Sequence, residues 1–289
     1  MSNIIHNITR DQRPETRDQR PETRDQRRLI WLLTCFVFML GVFISYRFVR
    51  HELNQNANIR DLQASVAKLS AKLRHISTGN VQWLESGYNY LAIGNSITLH
   101  GKSSFWWNEI GMAASDAKHD YFHLVVSHLE ISNAEVMAKA FNFSVWEVQG
   151  HDRDETLDFL DPYLSQRLNL VTIQLAENAS DLATYEEDYV SLIEYVKTKA
   201  PNARILVVGD FWSRGNRNEL KINAVNKTKA EYVSLNGIID NKRYYCGLNM
   251  IVYDDDGNEH IVEHNGVAKH PGDIGMRAIA DRIIEVLDK

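Results

Sequence analysis

From residue 80 to the end of the chain, short apolar runs alternate with longer segments whose apolar residues recur every three or four positions. The short runs predict buried strands, and the longer segments predict amphipathic helices. The predicted strands cover residues 90–93, 170–175, 205–208 and 232–235. The predicted helices cover residues 121–140, 185–199, 218–229 and 273–287. This alternation favours an α/β fold, a three-layer α/β/α sandwich around a parallel sheet, with residues 80–289 forming one domain.

Residues 29–46 form an apolar run that contains no charged residue and is bounded by Arg27, Arg28 and Arg47. At about 1.5 Å per residue, a helix of this length just crosses the hydrocarbon core of a membrane. A cleaved signal peptide is the alternative, but it would need a small-x-small cleavage site after the run, and no such site follows. We therefore predict a retained transmembrane signal anchor over residues 29–49.

Arginines are more numerous before this run than after it. Those before it include Arg13, Arg17, Arg20, Arg24, Arg27 and Arg28, and those in the twenty residues after it are Arg47, Arg50 and Arg60. Basic residues favour the cytoplasmic side of a membrane. We expect a cytoplasmic amino terminus, a single pass through the inner (cell) membrane, and a domain that lies in the periplasm or outside the cell.

The segments on either side of the apolar run differ in character. Residues 1–28 repeat the unit Thr-Arg-Asp-Gln-Arg-Pro-Glu, which has no apolar position, so we predict a disordered charged tail. Residues 50–79 predict a helical stalk with an a/d heptad stripe, made of Ile59, Leu62, Val66, Leu69, Leu73 and Ile76. This stripe fits a short coiled coil that joins copies of the chain, and it fits equally a single helix packed on the domain.

The composition narrows the function classes. With 289 residues, 44% hydrophobic content and a net charge of -6, the chain can bury a sizeable core and lacks the basic character of nucleic-acid-binding proteins. Its two cysteines are Cys35, in the apolar run, and Cys246, in the domain, so we expect no disulfide within the chain.

Three polar residues stand where a site in an α/β fold would be built. The strand at residues 90–93 stops at Gly94-Asn95-Ser96, which places the Ser96 hydroxyl at the carboxyl edge of the sheet, where such folds bind ligands. Asn178 follows the next predicted strand, either as an amide donor or as a turn residue. His270 precedes the last helix, in a position that suits a general base for a serine.

Two of these segments resemble one superfamily of enzymes. Gly94-Asn95-Ser96-Ile97-Thr98 resembles the Gly-Asp-Ser-Ile-Thr first block of the SGNH, or GDSL, hydrolases, with Asn95 in place of the usual Asp. His270-Pro271 resembles the Asp-x-x-His-Pro block of the same superfamily. The resemblance covers about residues 90–287 and implies an SGNH, flavodoxin-like sandwich.

The resemblance also implies roles for residues. Ser96 would be the nucleophile and His270 the general base. The backbone N–H groups of Ser96 and Gly111, with the side-chain amide of Asn178, would form the oxyanion hole. Gly111 is equally compatible with an ordinary turn.

One departure from the superfamily pattern concerns the third catalytic residue. The position three residues before His270 is Val267, where the superfamily has Asp. An imidazole without a partner on its second nitrogen loses control of its tautomer. We expect a main-chain carbonyl to replace the acid, with Glu263, the nearest carboxylate in sequence, as the alternative third member.

The expected function follows from the resemblance and the predicted compartment. It is a serine esterase that hydrolyses an acyl ester, most simply an O-acetyl group, on a cell-envelope carbohydrate, with no cofactor and no metal. An O-acyltransferase of the same fold and a non-catalytic, membrane-anchored interaction module are the alternatives.

Two further patterns have competing interpretations. His119 and His123 are one helical turn apart, as in some zinc sites, but no third ligand is recognisable and a surface or core pair is favoured. Trp106 and Trp107 would suit a sugar-stacking platform, although such a pair is more commonly part of a core.

The predicted orientation can be tested with the substitutions Asn3→Cys and Ser234→Cys, each in a chain that carries Cys246→Ser. In intact cells, a membrane-impermeant maleimide should label only Ser234→Cys, because the arginine asymmetry retains residue 3 in the cytoplasm. Labelling of Asn3→Cys alone would show the reverse orientation.

Overall fold

The computed structural model describes Leu62, Ser65, Val66 and residues 80–289. The predicted tail, the predicted membrane anchor and most of the predicted stalk lie outside these residues. Within the stalk, Leu62 and Val66 of the heptad stripe are helical and exposed. No helix in the described part of the chain is long and apolar enough to cross a membrane.

Five parallel strands form the main sheet, in the spatial order β2-β1-β3-β4-β5. Their bounds are Tyr88–Gly94 (β1), Val136–Asn142 (β2), Leu170–Gln174 (β3), Arg204–Val208 (β4) and Glu231–Val233 (β5). The central strands are buried on both faces, which is why they appear in the sequence as nearly continuous apolar runs. A separate antiparallel hairpin pairs Ile251–Tyr253 (β6) with Glu259–Ile261 (β7).

Helices cover both faces of the main sheet. Their bounds are Tyr121–Ser132 (α1), Ser144–Val148 (α2), Tyr185–Lys199 (α3), Arg217–Thr228 (α4), Asn265–Lys269 (α5) and Asp273–Leu287 (α6). On one face α1 packs against α6, and on the other α3 packs against α4, each pair over its own apolar core. The predicted three-layer α/β/α sandwich with a parallel sheet is thereby confirmed.

One element differs from the sequence prediction. The helix predicted over residues 121–140 ends at Ser132, and the rest of that segment belongs to β2, which begins at Val136. The apolar spacing continues through the break, so it fits a helix as well as an edge strand. Hydrogen bonding to β1 along its whole length overrides the helical propensity of Met137, Ala138 and Lys139.

The strand order creates a crevice beside β1. The chain passes from β1 to β2 on one side and then returns to β3 on the other side of β1. At such a reversal the two connections leave in opposite directions, which opens a crevice at the carboxyl ends of the strands. The loops that follow β1, β2 and β3 therefore meet at one edge of the sheet.

A buried ion cluster holds the loops after β3 and β4. Asp210 contacts Arg217 at 2.9 Å and Lys221 at 2.7 Å, and all three side chains are at most 1% exposed. The Arg217 guanidinium also donates to the carbonyl oxygens of Ala176 and Trp212, at 2.7 and 2.6 Å. The cluster thus joins α4 to the loops that border the crevice.

Removal of the acid from this cluster should destabilise the fold. Asp210→Ala removes the carboxylate that both buried cations contact, and the loss of one partner from a buried ion pair costs about 3–5 kcal/mol. Asp281→Ala, which breaks the exposed pair with Arg277, is the matched control and should cost about 1 kcal/mol or less. Urea unfolding of both variants measures the difference, and equal midpoints would show that the cluster adds no stability.

Candidate active site

Ser96 lies on a tight turn directly after β1. Asn95 shapes this turn, because its side-chain oxygen accepts a hydrogen bond from the N–H of Ile97 at 3.0 Å and its carbonyl oxygen accepts from the N–H of Thr98 at 3.0 Å. Gly94 allows the chain to turn so closely, since a Cβ at this position would lie 1.8 Å from the Thr98 hydroxyl oxygen. The turn holds Ser96 at the mouth of the crevice.

The Ser96 hydroxyl contacts His270. The Oγ atom lies 2.8 Å from Nε2 of the imidazole, although the two residues are 174 positions apart in sequence. His270 follows α5 and precedes Pro271 and α6. The two segments that resemble the SGNH blocks are therefore adjacent in the fold, within hydrogen-bond reach as expected.

The second ring nitrogen of His270 contacts a main-chain carbonyl. Nδ1 lies 2.8 Å from the carbonyl oxygen of Gly266. Because a carbonyl can only accept, Nδ1 must carry the proton, and Nε2 then presents its lone pair to the Ser96 hydroxyl. This arrangement fixes the tautomer that a general base requires.

His270 is held in its neutral form at neutral pH. Burial lowers the pKa of His270 to about 4, the hydrogen bond to Gly266 raises it in part, and the nearby His100 and His264 lower it further. The imidazole is neutral above this pKa, so its Nε2 lone pair remains free to accept a proton.

Neither candidate position for a third acid supplies one. Glu263 is exposed, and the Nδ1 atom of His270, its expected partner, is already hydrogen-bonded to the Gly266 carbonyl. Val267 is 1% exposed and packs in the core, where an acid would lose its hydration. Of the two expectations drawn from the sequence, the carbonyl agrees with the structure and Glu263 does not.

Gly111 does not offer its backbone N–H to a ligand. That N–H donates to Oδ2 of Asp120 at 3.2 Å in the buried interior. A Cβ at this position would lie 2.5 Å from the carbonyl oxygen of Ile97, so glycine allows residues 101–115 to pack against the Ser96 turn. The expected place of Gly111 in the oxyanion hole was wrong, because a packing role explains the same glycine.

Asn178 lies on the loop after β3, and its amide contacts a buried carboxylate. Its Nδ2 atom is 2.6 Å from Oε2 of Glu147, a side chain that is 0% exposed. One of the two hydrogens on Nδ2 serves that contact, and the second is left for a ligand. No described residue accepts a hydrogen bond from the backbone N–H of Ser96. These two donors remain for an oxyanion.

Asn95 joins two carboxylates beneath the turn. Its Nδ2 atom is 3.0 Å from Oε1 of Glu147 and 2.7 Å from Oε2 of Glu177. An aspartate at position 95 would place a third negative charge against these two, so the amide suits this site where the resembled block has an acid. Burial and then the charge of Glu177 raise the pKa of Glu147, and burial and then the charge of Asp210 raise the pKa of Glu177.

Sequence analysis missed both glutamates, for different reasons. Glu147 lies in α2, directly after β2, and the prediction of a helix over residues 121–140 hid the strand that delivers it to the crevice. Glu177 precedes Asn178 and was visible, but nothing in the sequence pairs it with Asn95. The unusual amide in the first block was the one available signal that acids lie nearby.

Aromatic rings border the serine and the histidine. The Trp212 ring meets the His270 ring edge to face at 5.0 Å, and Phe105 stacks on His264 at 4.4 Å. Trp106 is 1% exposed and belongs to the core, whereas Trp107 is half-buried and stacks on His260. Of the two interpretations of this pair, the core therefore applies to Trp106, and Trp107 lies at the edge of the core beside His260.

His119, in the short turn before α1, and His123, in α1, have separate partners. His119 contacts Asp116 at 2.7 Å, and His123 contacts Asp120 at 2.8 Å. Among the described residues, no group of three or more His, Cys, Asp or Glu side chains is placed to hold a metal ion.

Comparison with known proteins gives similar solved structures but no match by sequence. No family model and no curated protein matches the chain. A two-domain esterase active on acetylated mannans is 17% identical, with a TM-score of 0.45 over 77% of this chain and 53% of that one, so the chain spans about half its length. A putative GDSL-like lipase from Bacteroides ovatus is 15% identical, with a TM-score of 0.44 over 70% of this chain and 99% of that one.

A third similar structure is an active-site mutant of a family two carbohydrate esterase from Clostridium thermocellum. It is 16% identical, with a TM-score of 0.45 over 72% of this chain and 65% of that one. These structures are GDSL-like lipases and carbohydrate esterases, the kind of hydrolase that the segment around Ser96 resembles.

The protonation state of His270 can be measured directly. We expect its imidazole resonances to remain those of the neutral ring from pH 7 down to about pH 5, because burial lowers the pKa of His270 to about 4. A histidine in an unfolded chain has a pKa of about 6.5. Glu263→Gln should leave this titration unchanged, since the Gly266 carbonyl is the ring's partner. A downward shift in Glu263→Gln, absent from the control Glu259→Gln, would make Glu263 a partner of the ring.

Proposed function

We propose that the domain is a serine ester hydrolase of SGNH type. The observation that carries the proposal is the 2.8 Å contact between Ser96 Oγ and His270 Nε2, with the opposite ring nitrogen on the Gly266 carbonyl. This geometry has a nucleophile, a base in the required tautomer and a group that orients the base. It counts against the non-catalytic module, which would not need an oriented imidazole beside an accessible serine.

The reaction proceeds through an acyl-enzyme. Ser96 Oγ attacks the acyl carbonyl while His270 Nε2 takes the hydroxyl proton, and the carbonyl oxygen becomes an oxyanion. The Ser96 N–H and the free N–H of the Asn178 amide bind that oxyanion. His270 then gives its proton to the leaving alcohol as the ester bond breaks. Water repeats the sequence on the acyl-enzyme and releases the acid.

We infer the substrate class and the location from the sequence. The resemblance to carbohydrate-active esterases of the superfamily supports an O-acyl group, most simply acetyl, on a carbohydrate. Half-buried Trp212 beside His270 supports it further, since an aromatic face suits a sugar ring. The apolar run at residues 29–46 and the arginines before it support a membrane-anchored enzyme that faces the cell envelope.

The full chain in detergent, tested on an aryl acetate and then on acetylated polysaccharides, provides the test. Ser96→Ala should lower kcat by at least about a thousandfold, because the substitution removes the nucleophile. Ser180→Ala, at an exposed serine on the loop after β3, is the control and should retain full turnover. A fluorophosphonate should label Ser96 in the wild type. Equal turnover in Ser96→Ala and wild type, or a label on another residue, would contradict the proposal.

A further inference from the structure

The carboxylate of Glu147 is the point where three loops meet. It accepts hydrogen bonds from Asn95 Nδ2 at 3.0 Å, from the Ala176 N–H at 2.5 Å, and from Asn178 through Nδ2 at 2.6 Å and through the backbone N–H at 3.5 Å. These donors come from the loops after β1 and β3, and Glu147 itself comes from the helix after β2. One fully buried side chain therefore links every strand end that borders the crevice.

This carboxylate lacks a basic partner in the described part of the chain. The Arg153 guanidinium reaches Glu147 at its backbone oxygen, at 3.5 Å, and forms its ion pair with Asp188 at 2.6 Å. A buried carboxylate that is compensated only by N–H donors is costly, and a neutral glutamine would avoid that cost. The fold retains the acid where an apolar or amide residue would be easier to bury.

A carboxylate can do what an amide cannot at this position. Both of its oxygens only accept, so all of these N–H donors can point at it together. A glutamine at position 147 would turn an N–H, instead of an oxygen, towards one of these donors. If that N–H faced Nδ2 of Asn178, two donors would oppose each other and the Asn178 amide would rotate. After the rotation, the Asn178 oxygen would occupy the place that its nitrogen now holds.

We propose that Glu147 is a positioning residue that fixes the Asn178 amide so that its second N–H faces the oxyanion beside Ser96. This inference rests on the proposed function. Glu147 does not touch the substrate, and it acts through Asn178. The Asn95 contact supports the same arrangement, because it ties Glu147 to the turn that carries Ser96 and so holds the two oxyanion donors in register.

The electrostatics of the pocket agree with this role. Burial, followed by the charge of Glu177, raises the pKa of Glu147, so acid returns a proton to Glu147 while His270 is still neutral. A protonated carboxyl loses one acceptor position and behaves like glutamine towards the Asn178 amide. The other charged or titratable groups around the pocket include Tyr121, Arg153, Tyr185, Tyr189, Asp210, Arg217 and Lys221.

A double-mutant cycle in the full chain tests the inference, with an aryl acetate as substrate. Asn178→Ala should lower kcat by about 100-fold or more, as the loss of an oxyanion donor does. Glu147→Gln should lower kcat by about 30-fold or more and leave KM within about threefold, because the rotated amide affects the transition state rather than ground-state binding. In the double variant, kcat should lie within about threefold of Asn178→Ala alone.

Additive losses in the double variant would overturn the inference. A Glu147→Gln variant that keeps kcat within about threefold of wild type, while Asn178→Ala does not, would also overturn it.

The pH profile provides a test that does not depend on the folding of Glu147→Gln. Wild-type kcat should fall between about pH 7 and pH 5, and Asn178→Ala should lack this fall, because the amide through which Glu147 acts is gone. An identical fall in Asn178→Ala would also overturn the inference.

The two proposals fail in different ways. If the proposed function is wrong, Ser96→Ala and Asn178→Ala both keep wild-type turnover. If only the role of Glu147 is wrong, both of those variants lose turnover and Glu147→Gln does not.

Discussion

The structure depends on the pairing of β1 with two neighbours at once. Because β2 and β3 both bind β1 in parallel, the three strands end at one edge, and their following loops must share a small volume there. Ser96, Glu147 and Asn178 each follow one of these strands. The backbone pairing of the strands thus brings residues that are distant in sequence to one edge, where their side chains can form hydrogen bonds with one another.

Buried charge then makes that shared volume rigid. Polar groups without water must find partners, so each carboxylate beneath the turn fixes the donors around it. Asn95 lies between Glu147 and Glu177. The ion cluster of Asp210, Arg217 and Lys221 continues the network towards α4. The loops that carry Ser96 and Asn178 are therefore held by ionic and amide contacts, whereas the helices on the two faces of the sheet are held by apolar packing.

The parts that could be predicted from sequence are those with a local cause. The strand that stops at Gly94 places Ser96 through turn chemistry, and α6 could be delimited from its periodicity. The role predicted for Gly111 does not match the structure. A glycine indicates that something approaches the backbone closely, but the sequence does not show that the approaching group is the Ile97 carbonyl. Glu147 could not be found, since its importance arises from three loops that only the sheet order brings together.

Under the proposed mechanism, the Gly266 carbonyl that contacts His270 would set the relative ease of the two proton transfers that the imidazole makes, from the serine hydroxyl and to the leaving alcohol. A counter-ion would make the ring a stronger base, whereas the uncharged Gly266 oxygen leaves the protonated ring a strong acid. Brønsted behaviour then slows the abstraction of a proton and speeds its delivery. Under the proposed function, such a site would match alcohols that leave poorly unless they are protonated, the class to which the hydroxyl groups of the proposed sugar substrate belong.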